Sequence, residues 1–120
     1  MTKEELKIRT KKFHIEIIKV CEQLPKTTAG FELAKQLIRS GGSVGANYRA
    51  ACRAKSTADF IYKLEIVIEE ADESMYWLEV ITEAKLIASN ITEPLLKEGN
   101  ELVSIFVATV KTVKTNNNKS

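Results

Sequence analysis

The clearest helical pattern in this 120-residue sequence lies at residues 56–83, which read STADFIYKLEIVIEEADESMYWLEVITE. Ser56 is followed three residues later by Asp59, an arrangement typical of a helix N-cap. Apolar or small residues then recur in steps of three and four, which places them along one face of an α-helix. These residues are Phe60, Leu64, Val67, Ala71, Ser74 and Leu78. The segment therefore predicts a long amphipathic helix.

Two similar patterns precede this segment. Thr2 and Glu5 have the spacing of a capping box, which predicts a first helix from Thr2 to Leu24, just before a proline. Its inner stripe is Leu6, Phe13, Ile17, Val20 and Leu24. Thr28 is the predicted cap of a second helix. Its inner stripe is Phe31, Ala34, Leu37, Gly41, Val44, Tyr48 and Cys52.

A fourth helix is predicted after residue 90. Asn90 and Thr92 indicate a break in the chain, and Pro94 suits the first turn of the helix that follows. The inner stripe of this helix is Leu95, Leu102, Phe106, Val110 and Val113. Because the three connections are short, successive helices should be antiparallel neighbours.

The predicted fold is therefore all-α, an antiparallel up-down-up-down four-helix bundle. We expect one domain over residues 1–115 and a frayed polar tail at 116–120. The second helix contains the pair Gly41-Gly42, which costs helix propensity. Tight packing of a neighbouring helix or a functional kink would offset that cost, and the sequence leaves both interpretations open.

Composition narrows the class of protein. Lys and Arg together number 18 and Asp and Glu 16, so the net charge of +2 excludes a strongly cationic nucleic-acid-coating protein. The charged beginning of the sequence and the lack of a long apolar run predict a cytoplasmic protein without membrane contact. Cys21 and Cys52 form no Cys-x-x-Cys pair, which favours reduced thiols.

Charge is divided between the helices. Residues 27–55 hold five basic residues and one acidic residue, and residues 56–91 hold eight acidic and two basic residues. The basic set is the candidate nucleic-acid site: Lys35, Arg39, Arg49, Arg53 and Lys55. On the acidic helix, Tyr62 and Tyr76 share a face with several carboxylates, among them Glu73 and Glu79. Three interpretations follow: the two charged faces pair across helices or subunits, the basic face binds phosphates, or both are an ordinary charged exterior.

Two isoleucines of the first helix lie opposite its inner stripe. Ile8 and Ile15 are seven residues apart, so they stack on an otherwise polar face and indicate a second buried surface. The fourth helix also has a broad apolar arc. Self-association explains both features, and a wide helix packed deeply in its own bundle is the alternative.

The sequence offers little for catalysis. His14 is the one histidine, and no acidic residue precedes it at the spacing of bundle metal sites, so we expect a structural role and no metal. Ser40 and Ser43 lack a histidine–aspartate partner, and the glycines around them lack the spacing of a phosphate-binding loop. We therefore predict no catalytic residues and no cofactor.

Two motifs resemble a known family. Residues 36–49, reading QLIRSGGSVGANYR, and residues 70–79, reading EADESMYWLE, are similar to the signatures of the bacterial 23S rRNA intervening-sequence proteins. The resemblance implies an up-down bundle that assembles as a ring-shaped homopentamer. The family is in turn loosely similar to a pentameric accessory protein that is thought to hold RNA and a reverse transcriptase. The positions that this resemblance marks are Arg39, Asn47, Arg49, Glu73, Trp77 and Glu79.

The leading hypothesis is a non-enzymatic homo-oligomeric bundle that serves as a scaffold or interaction module. The alternative is an RNA-binding accessory protein that uses the basic residues of the second helix. RNA, DNA or another protein is the expected partner. For Asn47, a bond across to the third helix and a ligand contact both remain open.

Overall fold

The computed structural model describes residues 1–119 and contains four helices within that range: α1 (Lys3–Cys21), α2 (Thr28–Cys52), α3 (Thr57–Glu83) and α4 (Ser89–Lys119). Each helix packs against the next along the chain, and α4 returns to pack against α1. The helices α1 and α3 therefore occupy diagonal corners of an elongated body measuring 54 × 21 × 20 Å. The predicted all-α four-helix bundle is confirmed.

The helix starts follow the predicted caps with one difference. The hydroxyl of Thr2 accepts from the Glu5 backbone N–H at 3.1 Å, and that of Ser56 accepts from the Asp59 N–H at 3.1 Å. The cap of α2 is Thr27, which accepts from the Gly30 N–H, so the prediction of Thr28 was wrong by one residue. Adjacent threonines are chemically equivalent as caps, and local sequence does not distinguish them.

The beginning of α4 corrects a prediction. The helix starts at Ser89, so Asn90 and Thr92 lie inside it and do not break the chain. Thr92 is buried, and its Oγ1 lies 2.7 Å from the Oγ1 of Thr82 on α3, which makes it an interhelix contact. Pro94 is exposed in the second turn, near the start of α4. The helix continues through the polar residues 116–119 that were predicted to fray, and Ser120 lies outside the described residues.

The core contains nearly all of the predicted inner residues, including Phe13, Leu64 and Phe106, which are at most 1% exposed. Phe31 is the clear exception, since 63% of its surface is exposed. Residues 31, 34 and 37 are separated by two steps of three, and each such step falls about 60° short of a full turn. Phe31 is thus rotated by about 120° from Leu37 and lies outside the core stripe.

The glycines of α2 serve close packing against α1. The helix is continuous through Gly41 and Gly42, and both residues lie against α1, so the tight packing predicted there is present. A Cβ at Gly42 would stand 2.9 Å from the His14 ring, and one at Gly45 would stand 3.3 Å from the Thr10 hydroxyl. The close approach predicted at these small residues is therefore made by α1 of the same chain.

Candidate interaction surfaces

The two sequence motifs meet in an ion network between α2 and α3. The Arg39 guanidinium donates to Glu70 at 3.2 Å and also to Glu73. The indole N–H of Trp77 donates to the same Glu73 carboxylate at 3.3 Å. Arg39 therefore links α2 to α3 within one chain and its charge is already neutralised there, whereas the bond between Trp77 and Glu73 lies within α3.

The other four predicted basic residues remain exposed. Lys35, Arg49, Arg53 and Lys55 form no ion pair with the described part of the chain. Their charges are consequently available to a phosphate or to a carboxylate of another molecule. The predicted basic set is thus divided into one structural arginine and four free cations.

Arg49 lies beside the two outward isoleucines in a groove between α1 and α2. The groove has a volume of about 460 Å³. We call it the basic–isoleucine groove, and its lining residues are Glu4, Lys7, Ile8, Lys11, Lys12, Ile15 and Arg49. The lysines of α1 were not predicted to belong to this surface, although Lys11 and Lys12 follow Ile8 by the three and four residues that place side chains on neighbouring positions of a helix.

The outward face of α3 is acidic and aromatic. Tyr62 and Tyr76 are 65% and 56% exposed, which is high for residues of this size. The carboxylates around them are exposed and form no ion pair within residues 1–119, and we call the whole set the acidic–tyrosine face: Tyr62, Glu69, Asp72, Tyr76, Glu79 and Glu83. The predicted clustering of tyrosines among carboxylates is present, and Glu79 belongs to it.

Asn47 is bonded within its own helix. Its side-chain N–H donates to the Ser43 carbonyl at 2.8 Å, and the structure gives it no bond to α3. The buried polar contact between α2 and α3 is made instead by Ser74, whose hydroxyl donates to that of Ser40 at 2.9 Å. Ser40 is therefore a packing residue of the core.

A third surface lies where α1 meets α4. The Arg9 guanidinium donates to the two oxygens of Glu98 at 2.9 and 2.6 Å and lies 3.2 Å from Glu101. The hydrogen bonds that Arg9 donates to Glu98 raise the pKa of Arg9 further above its usual range. A cleft of about 670 Å³ with Phe13 and Leu95 in its wall adjoins this cluster. The sequence patterns did not indicate either feature.

The reactive side chains are held in structural environments. Burial raises the pKa of the Cys21 thiol to about 11, so the thiolate needed for nucleophilic attack is scarce at neutral pH. The Nε2 atom of His14 is buried beside Gly42 and has no hydrogen-bond partner in the described part of the chain.

Within residues 1–119, no three His, Cys, Asp or Glu side chains come together as a metal site. No helix in that range combines the length and the apolar character needed to cross a bilayer.

Comparison with known proteins supports the resemblance seen in the two motifs. A family model described as 23S rRNA-intervening sequence protein matches residues 4–108. A crystal structure from Bacteroides thetaiotaomicron, described as a protein with unknown function from the S23 ribosomal protein family, is 34% identical, with a TM-score of 0.83. The match covers 88% of this chain and 98% of that one. The comparison with curated proteins found no significant match.

Proposed function

Since this chain belongs to the 23S rRNA-intervening sequence protein family, we propose that it is a non-enzymatic, homo-oligomeric scaffold or interaction module of the cytoplasm. The observation that carries the proposal is the stacked pair Ile8 and Ile15, which are 69% and 44% exposed on the outer side of α1. A homopentamer is the form that the family resemblance implies.

The isoleucine pair is best explained by a partner. Their seven-residue spacing places them about 10 Å apart on one face, so together they form a patch. Covering apolar surface stabilises a complex by roughly 25 cal/mol for each Å² removed from water. The opposite side of α1 is already packed in the core. An exposed apolar patch on its outer side is therefore typical of an interface with another molecule.

A binding role also agrees with the chemistry of the side chains. Ser40 is committed to the core bond with Ser74, and the burial of Cys21 disfavours its thiolate. The exposed features are instead charges and large apolar side chains, which recognise surfaces.

Light scattering coupled to size-exclusion chromatography tests the proposal. The native protein should elute as a defined multimer of the 13.5 kDa chain at micromolar concentration. The variant Ile8→Ser/Ile15→Ser should form smaller assemblies, with a lower mass in light scattering. The control Phe31→Ser changes an exposed apolar residue on another helix and should keep the native mass. A monomeric native protein would overturn the proposal.

RNA binding is a second candidate, and the unpaired cations at the end of α2 and in the connection that follows it favour it. A multimer would repeat Arg49, Arg53 and Lys55 around its surface, so weak phosphate contacts would add through avidity. Fluorescence anisotropy with a labelled single-stranded RNA should then show affinity that falls steeply as salt rises. Binding that is absent at low salt, or that ignores salt, would exclude this candidate.

A further inference from the structure

We infer that the acidic–tyrosine face of one copy docks into the basic–isoleucine groove of the next, so that the copies associate head to tail. The inference rests on the proposed function, because it names the two surfaces through which a homo-oligomer would form. Its occupant is therefore a second copy of this chain.

Charge decides between this arrangement and a symmetric one. The groove presents Lys11, Lys12 and Arg49 without ion pairs in the described chain, whereas its Lys7 contacts Glu4 at 3.2 Å. Two copies that met groove to groove would oppose these like charges, which is costly at an interface. A groove that meets an acidic surface gains attraction instead.

The acidic surface available on this chain has the matching composition. Glu69, Asp72 and Glu79 are exposed on α3 and have no ion-pair partner in the part of the chain that the structure describes, unlike Glu70 and Glu73, which Arg39 neutralises. The free carboxylates thus provide the counter-charges that the groove lacks.

The apolar residues have compatible spacing. Ile8 and Ile15 are seven residues apart, and Tyr62, Glu69 and Tyr76 repeat at the same interval. Two helices that share a seven-residue repeat can keep these rows in contact over several turns. The tyrosine rings, 65% and 56% exposed, offer apolar surface to the isoleucines and hydroxyls to the lysines.

The two surfaces can be used at the same time. The acidic–tyrosine face belongs to α3 and the basic–isoleucine groove to α1 and α2, and the two surfaces share no residue, so one copy can bind a neighbour at each. Each copy therefore binds a neighbour on either side, which is the requirement for a head-to-tail assembly.

Charge reversal with mixing tests the inference. The groove variant Lys11→Glu/Arg49→Glu and the face variant Glu69→Lys/Glu79→Lys should each fall to the monomer mass of 13.5 kDa in light scattering. An equimolar mixture should form species heavier than the monomer, because the reversed groove then meets the reversed face and the native groove the native face. Two alternating variants close only even-numbered rings, so the mass should exceed that of the monomer without having to equal the native mass. The control Lys97→Glu/Lys111→Glu on α4 changes two exposed lysines and should keep the native mass. Far-ultraviolet circular dichroism verifies that every variant is folded.

The outcomes separate this inference from the proposed function. A native multimer whose mass neither reversal changes would overturn the head-to-tail interface and leave the proposed function standing. So would a loss of mass in the groove variant alone, or a mixture that stays monomeric. A monomeric native protein would overturn both.

Discussion

Gly41 of α2 packs so closely on Ile17 of α1 that a Cβ on Gly41 would stand 2.5 Å from the Ile17 Cδ1 atom. Ile17 is fully buried and cannot turn its side chain toward solvent. A larger residue at position 41 would therefore force the Ile17 side chain to shift inside the core, which favours glycine there despite its low helix propensity.

Gly41→Ala should lower the free energy of unfolding by up to about 2 kcal/mol, because overpacking a filled core costs about 1 to 3 kcal/mol and alanine returns about 1 kcal/mol of helix propensity. Gly42→Ala is the matched control. Its methyl would meet the half-buried His14, which can shift, and alanine gains about 1 kcal/mol of helix propensity. Urea denaturation measures both variants, and equal destabilisation of the two would contradict this account.

Lys85 lies two residues after the end of α3 and has a left-handed backbone conformation, with φ at 59°. The Leu86 N–H donates to the Ile81 carbonyl and the Lys85 N–H to that of Thr82, which is the pattern of a Schellman cap. Glycine adopts this conformation without the cost that a Cβ imposes. Lys85→Gly should raise the free energy of unfolding by about 0.5 to 1 kcal/mol, measured by urea denaturation. Lys85→Ala keeps the Cβ and should give no such gain.

The local sequence determined much of this architecture. The caps at Thr2 and Ser56 were predictable because a capping hydroxyl and its N–H partner are three residues apart in the chain. Thr92 was misjudged because its hydroxyl is satisfied by Thr82 on another helix, and local pattern cannot reveal such a partner.

The candidate surfaces were only partly predictable for the same reason. The outward position of Ile8 and Ile15 follows from helix geometry alone. The division of the basic residues does not, since it depends on the register of α2 against α3, which brings Arg39 to Glu70 and Glu73.

Arg39 should act on stability, although the sequence placed it among the candidate RNA contacts. Arg39→Gln removes the cation shared by Glu70 and Glu73 and should cost about 1 kcal/mol, since the network is partly exposed to solvent. High salt should reduce that cost by screening. Lys35→Gln, which removes an unpaired charge from the same helix, is the control and should be neutral in the same denaturation experiment.

Alkaline pH should destabilise the fold through the Cys21 thiol. Burial raises its pKa from 9.0 to about 11, so folding favours the neutral form. The contribution of the neutral thiol to the free energy of unfolding is present in full below pH 9 and is lost as the pH rises toward 11. The free energy of unfolding should fall by about 2 to 3 kcal/mol over that range. Burial also raises the pKa of Tyr48, so the decline should continue above pH 10.

The measurement is the thermal midpoint as a function of pH. In Cys21→Ala, the decline between pH 9 and 10 should be weaker than in the native protein, because that variant has no thiol to ionise. An unchanged profile in this variant would exclude Cys21 as the cause.

The two proposed roles, self-association and RNA binding, share Arg49 but otherwise rest on different basic residues, so substitution can separate them. Arg53 and Lys55 lie outside the basic–isoleucine groove, whereas Lys11 lines it. Arg53→Gln/Lys55→Gln should keep the native mass in light scattering and weaken RNA binding. Each lost phosphate contact should also reduce the slope of log affinity against log salt by about 0.7 on a single strand.

Lys11→Glu should behave differently. It should weaken assembly first, and RNA binding should fall with it because avidity requires several copies. Both variants should therefore bind RNA more weakly, but only Lys11→Glu should lower the mass of the assembly. Two outcomes would contradict this separation: a lower mass in Arg53→Gln/Lys55→Gln, or a lower RNA affinity in Lys11→Glu while the multimer persists. In either case one surface would serve both roles.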